Sequence, residues 1–62
     1  MTIMFNKLKG RALNAIDTKD ASKVHEVIGQ VEMAYELGHL TWSQQEELTD
    51  MLLDALDDSK EW

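Results

Sequence analysis

A chain of 62 residues with no cysteine must hold its fold together without a disulfide, and at that length it is short of core as well. A domain of this size buries only about 60% of the surface its unfolded chain exposes, and below about 70–80 residues one core supplies about 3–5 kcal/mol. A thiolate zinc site, another staple of small domains, needs the same missing residue. Packing against a second molecule is the remaining way to bury more apolar area. Hydrophobic residues make up 44% of the chain and charged residues 29%, the balance of a folding sequence and not of a disordered one.

Proline is absent and three glycines are the only strong punctuation, a pattern that predicts long helices joined by short turns. Phe5, Leu8, Ala12 and Ile16 recur every three or four residues, with Leu13 beside them, and predict a first helix over 4–16. Gly10 weakens it by about 1 kcal/mol relative to alanine. Asp17 reads as the N-cap of a second helix over 18–37, with Asp20 in its first turn, where negative charge suits the helix dipole. Ala21, Val24, Val27, Ile28, Val31, Ala34 and Tyr35 form the apolar stripe of that helix, while Glu26, Glu32 and Glu36 fall elsewhere on it.

Gly38 suits the left-handed position that closes a helix. Thr41-Trp42-Ser43-Gln44 reads as a capping box, in which a hydroxyl and an amide each satisfy one free N–H at the start of the next helix. That helix, over 42–58, carries Leu48, Met51, Leu52, Ala55 and Leu56 on one face. A linker of three or four residues makes helices 2 and 3 antiparallel neighbours. The expected fold is therefore all-α: three helices built on an antiparallel αα-hairpin, completing a bundle by dimerisation, with Val24, Val27, Ile28, Val31 and Tyr35 as the core or oligomer face.

The net charge of -6 hides a segregation. Residues 1–16 carry Lys7, Lys9 and Arg11 with no acid, a balance of +3; residues 17–40 balance at -3 and residues 41–62 at -6. On the third helix Glu46, Glu47, Asp50, Asp54, Asp57 and Asp58 form a carboxylate face with a step of about 6 Å. Like charges so spaced repel by about 0.2–0.5 kcal/mol per pair, and Asp57 and Asp58 also oppose the dipole at a helix C-terminus. Two readings account for that cost. The plain one is a solvated acidic face. The sharper one is a binding surface for a basic groove on another protein, one that ordinarily holds nucleic acid included, since regularly spaced carboxylates imitate the charge density of a phosphate backbone. Direct DNA binding is disfavoured, because the recognition helix would have to be helix 2 or helix 3, of which the latter carries the acids, and Lys7, Lys9 and Arg11 are the only plausible contacts. Lys7, Lys9 and Arg11 are expected instead to pair with the acids of helix 3, within one chain or between two.

Catalytic chemistry finds no foothold. His25 and His39 are the only histidines and lack metal-ligand spacing, position 29 being glycine, and no phosphate loop, serine elbow or calcium loop is present. No metal or cofactor is expected, and no enzyme. Trp42 is expected to close the core over Leu40 and Tyr35, or else, with Trp62, to act as an exposed anchor. Gly29 is either tolerated or a point of close approach for another helix. The methionines Met1, Met4, Met33 and Met51 suit a core or a dimer interface better than a cofactor.

The first residues are too broken by polar positions for a signal peptide, and no run approaches the roughly 18–20 apolar residues of a membrane span, so a cytoplasmic location away from membranes is expected. The run Tyr35-Glu36-Leu37-Gly38-His39-Leu40-Thr41-Trp42-Ser43-Gln44-Gln45-Glu46-Glu47-Leu48 resembles the Leu-Gly-x-Leu/Ile-Thr-x-x-Glu-Glu turn of short helical phage and prophage proteins and of small bacterial oligomerisation modules. It covers under a quarter of the chain. That resemblance implies a small accessory protein that binds and modulates a host protein. The readings that follow are a non-enzymatic interaction protein, an inhibitor that mimics DNA, and a structural or oligomerisation component.

Overall fold

The computed structural model describes residues 2–59 as three α-helices, α1 (Thr2–Asp17), α2 (Ala21–Glu36) and α3 (Trp42–Asp58). Trp62, the second expected anchor, lies outside the described residues, as does Met1. Each helix packs against the other two, giving a body of 34 × 15 × 15 Å. Arg11 of α1 donates to Gln30 of α2 at 3.1 Å, and Met4 and Leu8 lie across from Met33, Ala34 and Leu37. Residue numbers therefore rise along α1 as they fall along α2.

The turn between α2 and α3 forms as its residues dictate. Gly38 takes φ +82°, and the N–H groups of Gly38 and His39 return to the carbonyls of Tyr35 and Ala34 at 3.0 and 2.9 Å. This is the paired bonding that satisfies the last carbonyls of a helix when a left-handed residue follows it. Thr41 then accepts from the Gln44 N–H at 3.2 Å while Gln44 Oε1 accepts from the Thr41 N–H at 3.0 Å. The capping box is complete, and it fixes the start of α3 at Trp42. The connection is five residues, 37–41, and not the expected three or four, because α2 ends at Glu36.

The junction between α1 and α2 departs further from expectation. Asp17 is the last residue of α1 and not the cap of α2; Asp20 is the cap, accepting from the Ser22 and Lys23 N–H groups at 3.1 and 3.3 Å. The shift has a local cause. Lys19, not a glycine, takes the left-handed conformation at φ 56°, so that its N–H reaches Ile16 O at 3.1 Å and the Asp20 N–H reaches Ala15 O at 3.3 Å. The same closure seen at Gly38 thus ends α1, at the strain of about 1–2 kcal/mol that a side chain meets in this region.

The core is built of small and medium side chains. Leu48, Leu52, Val24 and Val31 are the largest fully buried ones, joined by Leu8, Ala12, Ala15, Val27, Ala34 and Leu40. Alanines at 12 and 15 let the helices approach closely, which suits a short chain with little volume to enclose. Phe5, Ile16, Ile28, Met51 and Leu56 are partly buried against this centre. Two residues assigned to apolar faces are not covered: Leu13 is 51% exposed and Tyr35 is 40% exposed. With two neighbours per helix the buried arc is wide but its edges are set by the packing, and both lie just past an edge.

Candidate functional site

Two surfaces stand out. On α3 the side that packs inward carries Leu48, Leu52 and Ala55. At 100° per residue the opposite side carries the acids, and Glu46, Glu47, Asp50, Asp54, Asp57 and Asp58 are all exposed. The structure thus brings the six expected carboxylates onto one accessible face. Capping gives that helix a fixed start, so the face is carried on a regular scaffold and not on a loop.

Trp42 does not close the core. It is 62% exposed, at the first turn of α3, while Leu40 is buried at 5%. Its position explains this: a residue directly after the Thr41 cap lies about 120° round the helix from Leu48, beyond the buried arc. Leu53, eleven residues on and about three turns along, is 51% exposed on the same side. The acidic face is therefore bordered by two uncovered apolar side chains about 16 Å apart along the axis. Sequence reasoning placed Trp42 among possible anchors and did not single out Leu53, whose signal is the eleven-residue interval from Trp42.

Of the two uses expected for the Val24, Val27, Ile28, Val31 and Tyr35 face, core or oligomer surface, the chain itself uses most of it as core. Val24, Val27 and Val31 are buried in the chain's own core and Ile28 is partly buried there, so these side chains are already occupied within the chain. What α2 leaves uncovered is a different row, Gly29, Met33 and Leu37, four residues apart. Met33 is 56% and Leu37 64% exposed. With Met4, Leu8 and Ala34 they line a groove of about 520 Å³ between α1 and α2, edged by Arg11, Glu26, Gln30 and His39. A smaller polar hollow of about 300 Å³ continues it past Asn14 and Lys23. A Cβ built on Gly29 would meet nothing within 4 Å, so no contact inside the chain requires glycine there.

Two of the three basic residues of α1 have contacts within the chain to groups other than the acids of α3. Arg11 donates to Gln30, and the Lys9 ammonium lies 5.7 Å from the centre of the Phe5 ring, within cation–π range. His25 and His39 are exposed, and among the described residues no group of three or more His, Cys, Asp and Glu could hold a metal ion. No described helix is long and apolar enough to cross a membrane.

No protein-family model, curated protein or solved structure matches the chain. The functional reading therefore rests on these two surfaces alone.

Proposed function

We propose that the chain is a non-enzymatic interaction protein that presents the outer face of α3 to a basic surface on a protein partner and works as a homodimer. The observation that carries this reading is the exposure of all six carboxylates on one capped helix, bordered by the uncovered side chains of Trp42 and Leu53. Each part has a distinct physical task. The carboxylates attract and orient a basic partner from about one Debye length, about 8 Å at physiological salt, and raise the rate of encounter. Charge of this kind adds little lasting affinity, which comes from burying large side chains, tryptophan foremost. In this reading α2 and α3 form an antiparallel hairpin across residues 37–41, and α1 braces the hairpin from the other side.

A groove that ordinarily holds nucleic acid is one surface of the required kind, since consecutive carboxylates stand about 5–6 Å apart on a rigid rod. The test is affinity capture from the native cell with wild-type bait and with an Asp50→Lys/Asp54→Lys bait. A protein retained by the first, released by raised salt and missed by the second supports the reading. Equal retention by both baits refutes it. Duplex DNA added as competitor identifies a nucleic-acid groove by releasing the captured protein.

A further inference from the structure

We infer that the groove between α1 and α2 seats a second copy of this chain, the two protomers packing face to face about a two-fold axis that runs along the groove. This rests on the self-association part of the proposed reading and not on the role of α3. Charge selects the occupant and the face. A protomer of net charge -6 meets its copy unfavourably across α3, where carboxylate would face carboxylate. The groove carries both signs, Arg11 and Glu26 on its edge, with Lys23 in the hollow that continues it, and a surface that holds both signs can complement itself under two-fold symmetry.

The register fits as well. Arg11 stands level with Gln30 in its own chain, bonded at 3.1 Å. An axis along the groove lays each α1 over the partner's α2 at the same level. Each Arg11, which has donors to spare beyond the one given to Gln30, then falls beside the partner's Gln30 and one turn from the partner's Glu26. Met33 and Leu37, more than half exposed in the single chain, enter the apolar part of the opposite groove. Gly29, which no neighbour in its own chain requires, lets the facing backbone come close. A standard interface takes about 800 Å² from each partner, about a fifth of the 4303 Å² that the chain exposes. A face of 34 × 15 Å between Cα extents, widened by the side chains that stand out from it, is of that order.

Sedimentation equilibrium of the full chain across the micromolar range tests the inference, with helicity followed by circular dichroism. The wild type and Asp50→Lys/Asp54→Lys sediment as dimers. Met33→Glu/Leu37→Glu stays helical and sediments as a monomer. Arg11→Glu loses the dimer by setting glutamate against glutamate, and Arg11→Glu/Glu26→Arg regains it. A wild-type monomer throughout the range, a dimer that survives Met33→Glu/Leu37→Glu, or a double reversal that fails to restore association would overturn it. The sedimenting sample is the purified chain without a partner protein, so failure here leaves the reading of α3 standing, and the capture experiment can fail while this one succeeds.

Discussion

Two glycines inside helices, one on each side of the proposed interface boundary, give a sharp test. Gly10 lies in α1 and Gly29 in α2, and a methyl group added at either would meet nothing within 4 Å in its own chain. Neither substitution gains or loses packing, so Gly10→Ala and Gly29→Ala each report helix propensity, about 0.8–1.0 kcal/mol in favour of alanine. For a domain whose core supplies about 3–5 kcal/mol this is a large increment. At about 4–8 °C per kcal/mol for a chain of this size, each variant should melt about 4–8 °C higher than wild type when the protein is dilute. The two sites then part company. Association raises the melting temperature as protein concentration rises, and Gly10, outside the groove, should leave that rise unchanged. Gly29 lines the groove, and a methyl group there holds the facing helix off. Thermal melts by circular dichroism over a wide range of protein concentration should show Gly29→Ala more stable than wild type when dilute, with its concentration dependence flattened. A Gly29→Ala profile parallel to that of Gly10→Ala, or a loss of stability in either variant when dilute, would refute the reasoning.

Other substitutions test the fold itself. Leu52 is fully buried, and Leu52→Ala should remove about 2–5 kcal/mol, enough to leave the chain largely unfolded by far-ultraviolet circular dichroism at room temperature. Asp20→Ala and Thr41→Ala each remove a cap that the structure shows and should lower stability by about 1 kcal/mol in urea titrations. Asp17→Ala should change it by less than about half of that, as for other surface substitutions; a larger loss would move the cap back to Asp17. Lys19→Gly should relieve left-handed strain and raise the melting temperature, whereas Gly38→Ala should lower it by an amount worth about 1–2 kcal/mol. Equal responses at the two positions would mean that their backbone conformations differ from φ 56° and φ +82°.

The second half of the fold was legible in the sequence because each boundary there has one dedicated residue. Gly38 ends α2 and the Thr41–Gln44 pair opens α3, whose range of 42–58 is as expected. The first junction was ambiguous, since Asp17 and Asp20 both suit a cap and the decision falls to Lys19. A lysine gives no sign that it will adopt a conformation that favours glycine. Periodicity located the apolar stripes but not their limits: Leu13, Tyr35 and Trp42 sit at stripe edges, and which edge is covered depends on where two other helices lie. The carboxylate face could be read directly, since i, i+4 spacing and an apolar opposite side suffice to place it. The groove could not. Its floor combines Met4 and Leu8 with Met33 and Leu37, far apart in sequence, and its one local signal is the four-residue step from Gly29 to Met33 to Leu37.

The most direct test of the claim that α3 carries the binding face is amide chemical-shift mapping of the labelled chain against its captured partner. Shifts are predicted along the outer side of α3, at Trp42, Glu46, Asp50, Leu53 and Asp54, with the α1–α2 groove residues Gly29, Met33 and Leu37 unchanged. Shifts confined to α1 and α2, with α3 silent, would contradict it.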